Sequence, residues 1–299
     1  MKKKILITGG SGFIGQNFKE LLFSKYTIYS PSHQDLELTD EKKVEGFFKK
    51  NIIDTVIHCA NIGGTRNAIQ QNDIVSINLR MFLNLLKCKR YYKKMIFLGS
   101  GAEYGKNQAL VKVKESDFDK SVPVENYGFY KYVCSRLIEQ EKNIVNFRLF
   151  GIYGKYEDYS LRFISNAIVK NLLLIPIDIN QNVFFDYLYI NDLIRIIDYF
   201  INHETKYKFY NVSSGIKIDL ITLARKINAI SPYESKIIIR KKGLNKEYTA
   251  SNTRLTKEIK GFKFTSINEG ISYLYKWYKK RLDLIDKKKI ISQMVAENT

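Results

Sequence analysis

The chain of 299 residues has only three cysteines, four prolines and one tryptophan. No apolar run approaches the ~18 residues that a membrane span needs. Cys59, Cys88 and Cys134 are odd in number and lie in apolar contexts. That argues against a disulfide framework and a cysteine-based metal cluster, so reduced, buried thiols and no metal site are expected. The scarcity of proline and the lack of a low-complexity linker argue against a hinge-separated module, and no internal repeat is found. Met1-Lys2-Lys3-Lys4 precedes an apolar run too short for a secretory leader, with glycines behind it. A cytoplasmic protein with no membrane partner is therefore expected. Acidic residues are in deficit: 30 Asp and Glu against 49 Lys and Arg leave a formal net charge of +19. The lysines are spread over many segments rather than gathered in one block, so they read as solvated faces and no nucleic-acid partner is expected. A positive field does draw in anionic small molecules.

What the chain does contain is a glycine turn placed directly behind a strand. Thr8-Gly9-Gly10-Ser11-Gly12-Phe13-Ile14-Gly15 follows the apolar run Ile5-Leu6-Ile7. A buried strand stops, the backbone turns on glycine, and an apolar helix begins at Phe13. Glycine is needed because a Cβ would block the turn and keep the backbone from a pyrophosphate. The N–H groups of the helix start then face the phosphates, whose charge the helix dipole favours. Gly9, Gly12 and Gly15, with Phe13 and Ile14 opening the helix, are the first candidate cofactor-binding residues.

A second constellation joins Ser100, Tyr127 and Lys131. Met95-Ile96-Phe97-Leu98 reads as a buried strand ending at Ser100, and Tyr127-Gly128-Phe129-Tyr130-Lys131 opens a helix. Tyr and Lys four apart share one helix face. A cation beside a phenol favours phenolate, so the spacing predicts a Tyr127 pKa below the usual ~10 and a proton donor or acceptor near neutral pH. The serine hydroxyl holds the same substrate oxygen. Tyr275 and Lys279 share the spacing but follow no strand-end serine, and are read as packing and solvated charge.

Apolar runs at 4–7, 26–29, 54–60 and 95–98 alternate with helical periodicity, one helix face reading Leu79-x-x-Phe82-Leu83-x-x-Leu86. A further strand is expected at 143–147. This pattern predicts an α/β fold, a doubly wound parallel sheet of Rossmann type. Residues 1–154 form the dinucleotide-binding part, with 183–213 returning to its sheet. Residues 155–182 and 214–282 form a smaller C-terminal α/β substrate-binding region, and 283–299 a polar tail.

Together these pieces resemble the extended short-chain dehydrogenase/reductases, in the branch that modifies nucleotide-activated sugars. The matching stretches are Thr8 to Gly15, Asp54 to Ala60, Asn78, Ser100 to Gly105, Tyr127 to Lys131, Arg148-Leu149-Phe150-Gly151-Ile152-Tyr153-Gly154, Phe185 to Asp192, and Tyr210-Asn211-Val212. Ile62-Gly63-Gly64 and Gly99-Ser100 are most similar to GDP-fucose synthase-like reductases. The resemblance implies proton chemistry by Ser100, Tyr127 and Lys131. It implies that Lys131 meets the nicotinamide ribose, that Asn78 orders the active-site helix, and that Ala60 lines the cofactor site. It places Glu37 and Leu38 against the adenine, and Gly101, Ala102 and Gly151 on the substrate side. The implied substrate is a nucleotide diphosphate sugar and the implied assembly a homodimer.

The second strand is expected to end at Tyr29-Ser30, where NAD-preferring enzymes place an acid on the ribose diol. Here Ser30, Ser32 and His33 follow, and hydroxyls with an imidazole tolerate a 2′-phosphate better than a carboxylate does. NADP(H) is therefore favoured, with NAD(H) the alternative through Asp35 if the strand runs longer. Sugar 4,6-dehydratases carry an Asp-Glu pair where this chain has Gly101 and Ala102. GDP-fucose synthases carry an epimerising cysteine at the Ala102 position and a downstream histidine, and residues 155–165 contain none. Gly151 replaces a usual Asn, and Phe185 an Arg that often meets the nucleotide. What remains is hydride transfer at C4: a 4-ketoreductase using NADPH, or alternatively a 4-epimerase holding NAD. A non-catalytic NADP-binding regulator is a third reading, opposed by the intact Ser/Tyr/Lys set.

Overall fold

The computed structural model describes residues 1–63 and 73–290. Gly64 of the Ile62–Gly64 segment, and residues 291–299 of the expected tail, lie outside the described residues. Strand and helix alternate from the start: β1 (Lys4–Thr8), α1 (Phe13–Leu22), β2 (Thr27–Tyr29), α2 (Glu41–Lys50), β3 (Thr55–His58), α3 (Ile74–Lys87) and β4 (Lys94–Ser100). Then come β5 (Leu110–Val113), α4 (Asn126–Ile138), β6 (Ile144–Leu149), β7 (Gly151–Tyr153), α5 (Phe163–Leu172), β8 (Ile177–Asn182), β9 (Phe184–Tyr189), α6 (Ile190–Asn202) and β10 (Phe209–Val212). The last third holds β11 (Lys217–Asp219), α7 (Leu220–Ala229), β12 (Ile237–Leu244), β13 (Tyr248–Ala250), α8 (Thr253–Glu258) and α9 (Ile267–Lys279). Local chemistry fixes several helix starts. Asp40 accepts from the Lys43 N–H at α2, Asp219 accepts from Thr222 at α7, and Ser266 with Glu269 closes a capping box at α9.

Six strands form the main sheet in the order β10-β6-β4-β3-β1-β2, and every pairing in it is parallel. Chain order reverses at β1, so a crevice opens beyond the carboxyl ends of β1 and β3, where such sheets bind ligands. Alternate strand residues feed two cores. Ile5, Ile7, Ile57, Ile96 and Phe147 pack with α1, α5, α6 and α9 on one face. Leu6, Val56, Met95 and Phe97 pack with α2, α3 and α4 on the other. The buried face of α3 runs through Ile74, Asn78, Met81, Phe82 and Leu85, which leaves Leu83 partly exposed. Of the expected face, Phe82 is buried and Leu79 and Leu86 pack against the same core, and only Leu83 turns outward, because apolar residues ring this helix and tertiary packing chooses among them.

Of the segment 183–213, expected to return to the main sheet, only β10 does so. Phe184–Tyr189 instead joins a second sheet, ordered β11-β9-β13-β5 with β7 also on β9. The aromatic content explains the difference. The Phe185 ring centroid lies 5.9 Å from that of Tyr248, and Tyr187 lies 6.1 Å from Tyr153. β8 and β12 pair in parallel beside this sheet. Asp186 fastens the loop after β10, accepting from Ser214 N and Oγ and from Gly215 N. Asp192 accepts from Thr265 N and Oγ1, fastening α6 to the segment before α9. Among the described residues no helix is long and apolar enough to cross a membrane.

A buried polar knot lies where the two sheets meet. Glu103 is fully buried and accepts from the Ser100 N–H (2.9 Å), Ser135 Oγ (2.5 Å), Asn146 Nδ2 (3.1 Å) and Arg148 Nε (2.7 Å). Arg148 Nη1 donates to Tyr104 Oη, which donates to Asn211 Oδ1. Removing one member of a buried pair strands the other charge at a cost of ~3–5 kcal/mol. Arg148→Met is expected to destabilise the protein by about that amount in urea titration. A loss under ~1 kcal/mol would show that the knot carries little of the fold's stability.

Candidate active site

The glycine turn adopts the shape its sequence implies. Gly9 has φ +66°, and a Cβ there would approach the Ala60 backbone to 2.7 Å. A Cβ on Gly15 would meet Gly10 Cα at 2.5 Å and Gly9 O at 2.6 Å, so α1 lies hard against the turn. Gly12 differs: its Cβ would meet only Gly9 O, at 3.3 Å, which leaves open space on its outer side. Gly12 is also the N-cap of α1, with no side-chain cap bond and no acid in the first turn. An uncapped helix start beside an open glycine face fits a dinucleotide pyrophosphate. Phe13 and Ile14 pack partly buried against the core behind it. Thr8 Oγ1 lies 2.7 Å from His58 Nδ1 and accepts from Ala60 N at 3.3 Å, tying β1 to β3 at the crevice floor.

The loop after β2 borders this crevice. The strand ends at Tyr29 and does not extend toward Asp35. A Cβ on Gly10 would lie 1.8 Å from Ser30 Oγ, so that hydroxyl is under the turn. Ser32 donates from N and Oγ to Asp35, an exposed carboxylate held below its usual pKa by these two bonds. His33 Nε2 lies 2.9 Å from Glu37 Oε2, whose other oxygen accepts from Thr39 N and Oγ1. Leu38 is buried and its carbonyl accepts from Asn84. Asn78 stitches α3 to the loop after β3: its Nδ2 donates to Ile62 O and Ile74 O, and its Oδ1 accepts from Ile62 N.

Ser100, Tyr127 and Lys131 converge at the carboxyl end of β4. Ser100 Oγ accepts from Ala102 N and lies close enough to the Tyr127 phenol to pull its proton affinity down. Lys131 Nζ donates to Leu98 O at 2.5 Å and is 5.9 Å from the Tyr127 ring centroid. The expected lowering of the Tyr127 pKa is not found. Burial pushes the phenol above 10, outweighing the lowering by the Ser100 hydrogen bond and the Arg162 charge. Burial is the larger effect on the phenol, while the ammonium is engaged by the Leu98 carbonyl and by ring faces. Burial also lowers Lys131 to about 8. Tyr275 is buried in packing, its hydroxyl on Ser231 Oγ at 3.0 Å, away from this site.

Two residues that spacing did not single out complete the surroundings. Tyr248, from β13, brings its hydroxyl to the strand end beside Ser100 and Gly101, and its ring packs 4.9 Å from that of Phe150. Arg162, exposed at the start of α5, lends its charge to Tyr127. Both come from the C-terminal layers, and no local pattern in the sequence links them to Ser100. A Cβ on Gly101 would meet Tyr248 Oη at 2.5 Å and the Phe150 ring at 2.7 Å, so that glycine leaves room for both rings. Ala102, expected on the substrate side, is fully buried with its carbonyl against Gly128. Gly151 lies beside Asp186 O and the Tyr187 ring.

Residues 5–213 match the family described as NAD dependent epimerase/dehydratase. The chain is 26% identical over 239 residues to GDP-L-colitose synthase of Yersinia pseudotuberculosis, covering 72% of this chain and 77% of that protein. It is 23% identical over 268 residues to dTDP-4-dehydro-6-deoxy-D-allose reductase of a Streptomyces species, covering 76% and 81% respectively. In three dimensions it resembles UDP-glucose 4-epimerase of Thermotoga maritima with a TM-score of 0.81, at 20% identity, over 93% of this chain and 99% of the other. That structural likeness is one of fold.

The glycine turn generates a test that separates binding from folding. Gly12→Val faces open space on its outer side, so it is expected to weaken dinucleotide binding while leaving the melting temperature near the parent's. Gly15→Val meets backbone and is expected to destabilise the fold itself. Calorimetric titration with NADP and NAD, beside thermal melts, checks both. Parental affinity in Gly12→Val would remove the phosphate assignment.

Proposed function

The chain belongs to the NAD dependent epimerase/dehydratase family, and on that premise we propose that it reduces the C4 keto group of a nucleotide-activated 6-deoxy sugar with NADPH. The observation that carries the proposal is the convergence of Ser100, Tyr127 and Lys131 at the carboxyl end of β4, with no carboxylate free at the strand end. Gly101 and Ala102 occupy the positions where dehydratases carry acids. Glu103, the adjacent acid, is bound by Arg148, Asn146 and Ser135 and has no lone pair turned to a substrate. The likeness to a protein named as a 4-dehydro-6-deoxy sugar reductase supports the same chemistry.

NADPH, when bound, supplies the hydride. Gly9, Gly12 and Gly15 would hold its pyrophosphate, and Ser30, Ser32 and His33 would face its 2′-phosphate. Ser100 holds the keto oxygen, and Tyr127 gives that oxygen its proton as hydride reaches C4. Burial keeps the phenol protonated, and a protonated phenol is the donor that reduction requires. Lys131 would hold the nicotinamide ribose. A homodimer is part of the proposal, because α3 and α4 pack side by side and leave Leu83 and Phe129 exposed. The second reading, an NAD-dependent 4-epimerase, draws on Asp35, a carboxylate in the loop after β2 that a ribose diol could meet.

Given a 4-keto-6-deoxy nucleotide sugar, the protein is expected to consume NADPH one-for-one with product. In heavy water the product should carry no enzyme-placed deuterium at C3 or C5. Interconversion of two reduced C4 epimers without net NADPH use would hand the case to the epimerase.

Tyr127→Phe is expected to lower kcat by ~10²–10⁴-fold if proton transfer is its role, with substrate affinity changed far less. Tyr275→Phe, whose hydroxyl ties α9 to Ser231 and Asn171, should leave turnover unchanged. Parental turnover in Tyr127→Phe would overturn the assignment.

A further inference from the structure

The Lys131 ammonium is buried in unusual company. The residue is 3% exposed, and one of its three donors goes to Leu98 O. The carboxylate whose field reaches it, Glu103, is already bound by Arg148. The other titratable groups that face it are neutral. His58 on β3 is buried and pushed down to about 3, Cys59 beyond β3 is pushed up to about 12, and burial raises the Cys134 thiol on α4 further. What surrounds the ammonium instead is aromatic. Its Nζ lies 4.5 Å from the ring centroid of Phe97, 5.1 Å from that of Tyr130 and 5.9 Å from that of Tyr127. Tyr130 is buried and its hydroxyl has no hydrogen-bond partner, so its ring rather than its oxygen makes the contacts seen here.

We infer that Phe97 and Tyr130, with Tyr127, form an aromatic cage that keeps the Lys131 ammonium charged and aimed, which makes Phe97 and Tyr130 positioning residues for it. The inference rests on the reading of Lys131 as the ammonium that serves the cofactor and Tyr127. A desolvated cation over ring faces recovers part of the stabilisation that water gave it. The sign of the pH effect follows. Burial has lowered Lys131 to about 8, so the charged form dominates below that value and is lost as pH rises through it. Removing a ring lowers the value further, and the charge is then lost nearer neutrality.

The test follows NADP affinity by calorimetry from neutral to alkaline pH in the whole protein. Parent affinity is expected to fall as pH rises through about 8. In Tyr130→Met and Phe97→Leu that fall should move down by ~1 pH unit. Tyr130→Phe, which keeps the ring and removes the oxygen, should restore the parent's midpoint. Thermal melts confirm that each variant is folded, and either ring-removing variant can stand for the other if one fails to fold. An unmoved midpoint in a folded ring-removing variant overturns the cage. Lys131→Met separates the two readings. If it keeps both parental affinity and the alkaline fall, the cofactor role of Lys131 is wrong; if it abolishes the fall while the ring variants leave it in place, only the cage is wrong.

Discussion

The Glu103–Arg148 pair is the constraint on which the site depends. A buried ion pair is costly unless nearly every polar atom finds a partner. Here the carboxylate takes four donors, and the guanidinium, whose Nη2 alone has no hydrogen-bond partner, packs on the rings of Phe118 and Phe209, 4.2 Å and 4.7 Å from their centroids. One of those four donors is the Ser100 backbone N–H, so the pair fixes the strand end that presents the Ser100 hydroxyl. The chain of bonds then leaves the main sheet. Arg148 reaches Tyr104, Tyr104 reaches Asn211, and Asn211 Nδ2 donates to Val113 O on β5 and Ser251 O just past β13. The knot that holds Ser100 is therefore tied to the strand that brings Tyr248 to it. It also explains why an acid next to the strand end performs no acid chemistry: its lone pairs are spent on structure.

Charge works differently at the crevice beyond β1 and β3. The start of α1 has neither an acid nor a side-chain cap, so its dipole meets whatever anion approaches. The excess of lysine sets a positive background around it. Close to the adenosine end the balance reverses. Asp35 and Glu37 occupy the loop after β2, the first holding Ser32 and the second paired with His33. The Ser32 hydroxyl, proposed to receive a 2′-phosphate, is thus already bonded to the Asp35 carboxylate, and must exchange that partner before it can hold a phosphate oxygen.

Much of this was legible in the sequence, and the reasons are local. The glycine turn announces itself because only glycine tolerates the Gly9 conformation and the approach of α1 at Gly15. The parallel sheet shows in the alternation of short apolar runs with 3.6-residue periodicity. Ser100, Tyr127 and Lys131 stand out because a strand end and a helix start each have recognisable chemistry. What was not legible depends on packing. Phe184–Tyr189 reads as a strand in any register, and nothing in its aromatic pattern says which sheet it joins. On α3 only Leu83 departs from the expected apolar face, because leucines occur on more than one side of the helix. Tyr248 lies far along the chain from Ser100 and only the second sheet brings them together. The ionisation of Tyr127 was misjudged for the same reason: spacing puts Lys131 on its face of the helix, but burial decides the proton affinity.

That last point bears on which way the chemistry runs. Burial acts oppositely on the two groups, raising the phenol and lowering the ammonium, because each disfavours its charged form in a desolvated site. The proton therefore stays on Tyr127, while Lys131 becomes the group nearer to neutral pH. A phenol that holds its proton can give it to a developing alkoxide, which is basic enough to take it. The same phenol is a poor base toward a sugar hydroxyl, which an epimerase must deprotonate in its first step. Only added positive charge near the phenol would reverse this, and the nearby cations, Lys131 and Arg162, do not outweigh burial in this structure. A reductase meets its oxygen as a carbonyl and needs no such reversal. The protonated phenol, with no carboxylate at Gly101 or Ala102, thus suits the proton delivery that the proposed reduction requires.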